Sequence, residues 1–118
     1  MATVGRGVFA QAVHEFFEGI RTYDVDRAVA VLAEDADFQS PWNDGVATGR
    51  DPVREILKRL LEDAATRPSF TIIDIAGDGS LVTLTVSVSG RFGKAARPHL
   101  FRILHLKGQV HQVVVQPA

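Results

Sequence analysis

The fold is decided by residues 23–61, which read YDVDRAVAVLAEDADFQSPWNDGVATGRDPVREILKRLL. Asp24 precedes apolar residues at helical spacing, so it is the predicted N-cap of a helix that ends around residues 34–36. The segment Asp37–Ser40 follows as a short predicted strand. The next segment, Pro41–Gly45, combines proline, asparagine, aspartate and glycine and predicts a loop. This stretch therefore contains a helix, a strand and a loop in close succession.

Two further helices are predicted around this stretch. Asp51 is expected to cap the later one, and Pro52 takes its first position, where the missing N–H costs no hydrogen bond. This helix ends before Pro68, and its predicted buried face consists of Val53, Ile56, Leu57, Leu60, Leu61 and Ala64. Upstream, apolar residues spaced by one, three and four positions predict an amphipathic helix over residues 8–20.

Beyond Pro68 the hydrophobic period changes from helical spacing to strict alternation. This pattern predicts four consecutive strands, over residues 70–75, 82–88, 99–106 and 109–116. Helices and strands are segregated along the chain, which favours the α+β class. We therefore predict one domain, residues 1–118, in which three N-terminal helices pack on a curved antiparallel β-sheet.

The composition limits the possible functions. A hydrophobic fraction of 46% and a charged fraction of 23% over 118 residues are typical of one globular domain. The formal net charge of −1 predicts neither nucleic acid nor a membrane surface as a partner. No apolar run approaches the roughly 20 residues that a membrane span needs, and the N-terminus is too weakly apolar for a signal peptide. The absence of cysteine excludes disulfides and thiolate nucleophiles and fits the reducing cytoplasm, which is the predicted location.

The predicted elements resemble the nuclear transport factor 2-like superfamily, in particular its SnoaL-like and ketosteroid isomerase-like members. The resemblance is carried by residues 23–61, where the family shows an aspartate-led helix, a strand ending in proline, a glycine-bearing loop and a "GrdaIreff" helix start. The ending PHLFRILHLKGQVHQVVV also resembles the family's final hairpin. The resemblance implies a cone-shaped fold with a small-molecule pocket. It does not imply one reaction, because the superfamily hosts isomerases, dehydratases, cyclases and non-catalytic binders.

Ketosteroid isomerases carry catalytic groups at positions that hold different residues in this chain. By the resemblance, Ser40 stands where the catalytic aspartate before the proline is expected. Phe16 stands in place of a tyrosine that donates to the oxyanion, and His99 stands in place of a protonated aspartate. The resemblance thus implies the family's pocket without its steroid-isomerising chemistry, with His99 as the polar group that remains.

The last two strands indicate which residues face the pocket. A two-residue turn at residues 107–108 would place His99 opposite Gln116. Because side chains alternate, His99, Phe101, Gln112 and Gln116 would then share one face. The predicted outer face carries five large aliphatic residues, Leu100, Leu104, Leu106, Val113 and Val115. We expect a second copy of the chain to cover this face, as in many members of the family, although isolated exposed apolar residues are common.

His99 is the predicted catalytic residue, because a histidine can act as acid, base or hydrogen-bond donor near neutral pH. The alternative is an inert histidine at a strand end, bonded only to backbone. The other predicted ligand contacts are aromatic or hydrogen-bonding side chains, namely Phe16, Tyr23, Phe38, Ser40, Trp42, Phe101, Gln112 and Gln116. Tyr23 and Trp42 have a second interpretation, since either ring could cover the edge of the core.

Two functions of different classes remain open. The first is a cofactor-independent enzyme that binds a small, largely apolar organic molecule and isomerises, dehydrates or cyclises it by proton transfer at His99. The second is a non-catalytic homodimeric ligand-binding or scaffold domain, which a pocket filled by aromatic side chains would favour. We predict no cofactor. We also predict no metal site, because His99 and His105, which share a strand face, lie roughly 20 Å apart and cannot bind one ion together.

Overall fold

The computed structural model describes residues 10–90 and 95–118. Three helices are present in these ranges, α1 (Gln11–Arg21), α2 (Val25–Ala30) and α3 (Arg50–Leu61). The strands are β1 (Leu32–Gln39), β2 (Ala47–Thr48), β3 (Phe70–Asp78), β4 (Leu81–Val88), β5 (Arg97–Leu106) and β6 (Gln109–Pro117). The predicted helix start at Val8 and part of the segment between the predicted strands 82–88 and 99–106 lie outside the described residues.

The helices form where the apolar spacing predicts them. The apolar face of α1 is buried, and it consists of Ala12, Val13, Phe16, Phe17 and Ile20. Asp24 is confirmed as the N-cap of α2, since its carboxylate accepts a hydrogen bond from the Arg27 backbone N–H at 3.1 Å. The longest of the described helices, α3, has 12 residues, and none of these helices is long and apolar enough to cross a membrane.

The end of α2 differs from the prediction. The helix stops at Ala30 instead of continuing to residues 34–36, and Leu32 opens strand β1. The cause is tertiary, because the Val31 carbonyl accepts a hydrogen bond from the Val110 N–H of β6 and Leu32 pairs with Val110. Pairing with a distant strand therefore overrides the local helical pattern.

The start of α3 also differs from the prediction. Gly49, and not Asp51, is the N-cap, so that Pro52 lies at the third helical position. Gly49 has a φ of 99°, which a residue with a side chain adopts only with strain, and its N–H donates to the Ala36 carbonyl at 2.8 Å. The predicted apolar face is buried except for Ala64, which is exposed because the helix has already ended at Leu61.

The six strands form one sheet in the order β2-β1-β6-β5-β4-β3. The four consecutive strands β3 to β6 form the predicted antiparallel meander. The prediction of a wholly antiparallel sheet is wrong at one point, because β1 pairs with β6 in parallel and makes the sheet mixed. The α+β class, with three helices on a curved sheet, is confirmed.

The final hairpin contains a β-bulge that the sequence pattern does not show. The turn at Lys107 and Gly108 is confirmed, and both residues have the positive φ that a tight hairpin turn of this kind needs. Beyond the turn the register shifts between Leu104 and His105. As a result every residue of β6 after the bulge faces the side opposite to the one predicted.

The bulge changes the composition of both faces. Val113 and Val115 point into the core and are buried, whereas the prediction placed them outside. Gln112 pairs with Leu104 and Gln116 pairs with Leu100, so both glutamines lie on the outer face, and their predicted place in the pocket is wrong.

The core lies between the helices and the inner face of the sheet. Its largest fully buried side chains include four phenylalanines, Phe16, Phe17, Phe38 and Phe101. Phe101 of β5 packs edge-on against Phe17 of α1, with ring centroids 6.0 Å apart. Aromatic rings therefore occupy the space between the two layers.

Helices α1 and α2 cross at Gly19. A Cβ added to Gly19 would lie 2.5 Å from the Ala28 nitrogen and 2.8 Å from the Ala28 Cα, closer than real Cβ contacts. These neighbours are backbone atoms and cannot turn aside. The close approach of the two helices therefore depends on the missing side chain.

We expect Gly19→Ala to destabilise the fold by about 1–3 kcal/mol, the usual cost of overpacking a core. At an unobstructed helical site, the same substitution of glycine by alanine would stabilise the fold by up to ~1 kcal/mol. Chemical denaturation measures the difference. Gly77→Ala is the control, because a Cβ there would lie 3.8 Å from Val82, an ordinary contact. A neutral or stabilising Gly19→Ala would contradict this account of the crossing.

Candidate functional site

A pocket of about 150 Å³ lies where β4 ends and β5 begins. Its described lining residues come from the loop after β1, the approach to β3 and the two strand ends, and they are Trp42, Pro68, Val88, Ser89, Gly90, Ala95, Arg97 and His99. His99 and Trp42 are the predicted site residues that meet here. The pocket combines apolar walls with a cation and an imidazole, as small-molecule sites often do.

The Trp42 ring lies against His99. The two rings are nearly parallel, with an interplanar angle of 25° and centroids 5.8 Å apart. The indole also packs against Phe70 in an edge-on arrangement and against the tilted ring of Phe101, each with centroids 6.3 Å away. Trp42 is therefore held by aromatic contacts on several sides and forms a wall between the pocket and the core.

The ring of His99 is oriented by a hydrogen bond to its own strand. Its Nδ1 lies 3.1 Å from the Arg97 carbonyl oxygen. Because a carbonyl oxygen only accepts, Nδ1 carries the proton of this bond. In the neutral ring Nε2 then keeps its lone pair, so it can accept a hydrogen bond or a proton from a ligand.

Ser40 is buried, and its hydroxyl holds the loop that carries Trp42. The Ser40 Oγ accepts a hydrogen bond from the Trp42 N–H at 3.1 Å and donates a short one to the Asn43 side-chain oxygen. Both hydrogen-bonding functions of the hydroxyl are therefore used within the loop. Ser40 positions Trp42 and does not line the pocket.

Three predicted ligand contacts lie inside the core. Phe16, Phe38 and Phe101 are at most 1% exposed. They fill the space in which the sequence analysis expects the ligand. The structure therefore moves the candidate site from the interior to the edge of the sheet.

Tyr23 lies apart from the pocket. Its hydroxyl donates to the Pro68 carbonyl at 2.9 Å, and the Arg67 guanidinium lies 3.8 Å above its ring. Tyr23 contributes to a different groove, of about 470 Å³, between α2 and α3. This groove is larger than the pocket beside His99, but it is lined by both acidic and basic side chains, and Asp26 pairs with Arg54. The smaller pocket is the stronger candidate, because His99 and Trp42 both line it.

The sequence analysis missed Arg97 as a pocket residue. The predicted strand begins at His99, whereas the observed β5 opens at Arg97, which pairs with Val88. One signal was available, since Arg97 is two residues before His99 and side chains two apart in a strand share a face. Within the described residues no group of three or more potential metal ligands comes together.

Comparison with protein families agrees with this architecture. The model of the SnoaL-like domain matches residues 13–109, which include the three helices except the first two residues of α1, and the strands β1 to β5. The chain belongs to the SnoaL-like family. No curated protein sequence matches the chain.

Solved structures share the SnoaL-like fold at low sequence identity. A proposed polyketide cyclase from Sinorhizobium meliloti superimposes with a TM-score of 0.77 at 17% identity, over 89% of this chain and 93% of that one. A proposed ketosteroid isomerase from Kribbella flavida superimposes with a TM-score of 0.74 at 18% identity, over 91% of this chain and 76% of that one. An NTF2-like protein of unknown function from Cytophaga hutchinsonii superimposes with a TM-score of 0.73 at 18% identity, over 91% of this chain and 87% of that one. At these identities the likeness shows the fold alone.

We expect Ser40→Ala in this SnoaL-like domain to lower the free energy of unfolding by about 1–2 kcal/mol, because the Trp42 N–H loses its acceptor. Chemical denaturation measures the loss, and emission of Trp42, the single tryptophan, reports whether its loop has moved. Ser87→Ala is the control, since Ser87 lies half-buried on the outer face of β4. An equal cost for the two variants would contradict the loop-holding role of Ser40.

Proposed function

We propose that this SnoaL-like domain binds a small, largely apolar organic molecule in the pocket beside His99. The observation that carries the proposal is the pairing of the half-buried Trp42 ring with His99 in the pocket wall. An indole supplies a flat apolar surface, and the imidazole supplies a hydrogen-bonding group of adjustable charge. Ser89 and the apolar side chains of Pro68 and Val88 complete the surroundings.

The filled interior favours binding over the family's internal chemistry. The rings of Phe16, Phe38 and Phe101 stand where a ligand enclosed between helices and sheet would have to lie. This observation supports the ligand-binding alternative of the sequence analysis.

Proton transfer at His99 is the second candidate function. The hydrogen bond from Nδ1 to the Arg97 carbonyl leaves Nε2 as the basic atom of the neutral ring. A bound molecule with an acidic C–H or O–H within reach of Nε2 could lose its proton there and regain it at another atom, which is an isomerisation. Histidine alone supplies this step, so the proposal requires no cofactor.

Ligand binding is tested by a thermal-shift screen with apolar ketones, polyketide fragments and terpenoids, followed by titration of Trp42 fluorescence. A ligand that binds only the folded state raises the melting temperature with concentration. For a molecule that binds, we expect His99→Ala to weaken affinity by about tenfold, the loss of one hydrogen bond and a ring contact.

His111→Ala is the matched control, because His111 occupies the bulge of β6 and does not line the pocket. Equal affinity of His99→Ala and the wild type would contradict the pocket assignment. Turnover of the bound molecule that survives in His99→Ala would contradict the proton-transfer role while leaving binding intact.

We also propose that two copies of the chain associate through the outer face of the sheet. Leu81 and Leu106 on this face are 44% and 45% exposed, and Leu100, Leu104 and Val114 are half-buried beside them. The bulge removes Val113 and Val115 from the predicted patch, but Val114 and Leu81 take their place. An apolar group on an otherwise polar face supports association with a like surface.

Sedimentation tests this association. We expect the wild type to be a dimer and Leu104→Glu to be a monomer with an unchanged circular dichroism spectrum, because the new carboxylate would be buried without a partner. Val46→Glu is the control, since Val46 is 55% exposed in the loop before β2. A monomeric wild type at high concentration would rule the association out.

A further inference from the structure

The charges of the chain are strongly segregated. From Gly79 to the C-terminus the sequence contains no aspartate or glutamate, but it contains five basic residues, Arg91, Lys94, Arg97, Arg102 and Lys107. The remaining 13 − 5 = 8 basic residues share the first 78 positions with all 14 acidic ones. The acid-free segment supplies β4, β5 and β6 and most of the wall of the pocket beside His99.

Arg97 differs from three arginines of the helices, Arg21, Arg27 and Arg54. Arg27 donates two hydrogen bonds to Glu15, at 2.8 and 3.0 Å, and these bonds lower the pKa of the Glu15 carboxyl below its ordinary value. Arg21 and Arg54 also pair with carboxylates. Among the residues that the structure describes, no carboxylate pairs with Arg97. Its exposed guanidinium at the pocket rim is therefore available to an anion from outside.

No acidic residue belongs to the described lining of the pocket. Arg97 and His99 lie on one face of β5, two residues apart, and His99 stacks on Trp42. A ligand anion at Arg97 would thus meet a second hydrogen-bonding group at His99 and no repelling carboxylate from the described wall. A guanidinium offers a carboxylate two parallel N–H donors, which is its strongest hydrogen-bonding arrangement.

The size of the pocket limits the rest of the ligand. Its volume of about 150 Å³ is below the ~300–1,000 Å³ of most ligand sites. A cavity of roughly 150 Å³ accommodates benzene. The indole of Trp42 and the apolar atoms of Pro68 and Val88 offer a surface that suits a flat ring. One aromatic ring therefore fits the apolar part of the pocket.

We infer that the pocket binds a single-ring aromatic carboxylate, with its ring against Trp42 and its carboxylate on Arg97 beside His99. The inference rests on the proposed function, because it names the ligand class of the same pocket. The aromatic ring matches the apolar wall, and the negative charge matches the unpaired cation at the rim.

Fluorescence of Trp42, the single tryptophan, provides a direct titration with three probes of similar size. Benzoate carries both features, benzamide is its uncharged counterpart, and cyclohexanecarboxylate keeps the charge but has no flat ring. We expect benzoate to bind at least about tenfold more tightly than benzamide, which cannot form the charge-assisted hydrogen bond to Arg97. Cyclohexanecarboxylate keeps that bond but has no flat ring to lie against Trp42, so it should also bind more weakly than benzoate. Added salt should weaken the binding of benzoate, because it screens the charges, and leave the binding of benzamide unchanged.

Two arginines of β5 give a matched pair of variants. Arg97→Gln should weaken the affinity for benzoate by about tenfold or more and leave the affinity for benzamide unchanged. Arg102→Gln removes a cation from the same strand and the same acid-free segment, but Arg102 lies on the outer face, where it pairs with Val114. This variant should change neither of the two affinities. The two variants have the same net charge, so a difference between them reports position and not overall charge.

Four outcomes would overturn the inference. Equal affinity for benzoate and benzamide would show that the pocket does not recognise the negative charge. Equal losses of benzoate affinity in Arg97→Gln and Arg102→Gln would show that the carboxylate does not bind at Arg97. If none of the three probes alters Trp42 emission while another apolar molecule does so, the ligand class is wrong but the proposed function stands. If no small molecule alters the emission or the melting temperature, the proposed function fails as well.

Discussion

The parallel pairing of β1 with β6 is the constraint on which the rest of the structure depends. These strands lie near opposite ends of the described chain, and parallel neighbours require a long crossover between them. Here the crossover contains α3 and the strands β3 to β5. The pairing sets Phe38 beside Val113, ends α2 at Ala30 and brings the helices over the inner face of the sheet. Closing so long a loop costs entropy, which the buried core between the layers has to offset.

The packing that this pairing permits also decides where a ligand can bind. Phe101 lies on the central strand β5 and contacts the rings of Phe17, Phe70 and Trp42. Once these rings pack together, the space between helices and sheet is occupied. The pocket beside His99 lies at the rim of this aromatic cluster, so that the same indole covers the core with one side and faces the pocket with the other. Stability and binding thus share one residue, and Ser40 supports both by holding its loop.

The distribution of charge divides the molecule in a second way. In the described part of the chain before Gly79, three arginines form ion pairs with carboxylates, as Arg27 does with Glu15. The segment from Gly79 to the C-terminus, which supplies β4 to β6, has cations without acids in its sequence. A net charge of −1 therefore hides two regions of opposite sign, and the pocket belongs to the positive one. Such a field favours anionic ligands over neutral ones of the same shape.

The sequence by itself determined the elements whose signals are local. The spacing of apolar residues placed α1, α3 and the meander, Asp24 marked the start of α2, and the motif of residues 23–61 indicated the family. It also singled out Trp42, the single tryptophan, in a predicted loop, and His99, which can act as acid or base at the position of the family's protonated aspartate. These features follow from periodicity and turn chemistry, which act over a few residues.

Only the tertiary structure decided the features that depend on distant partners. The parallel pairing moved Leu32 from helix to strand, and one extra residue in β6 exchanged Gln112 for Val113 on the inner face. Neither event leaves a local trace, because strand pairing and register are set by contacts across the sheet. The position of the pocket is of the same kind. Whether Phe16 and Phe38 line a cavity or fill it depends on how closely the layers approach, and that distance is set by packing against residues far away in the chain.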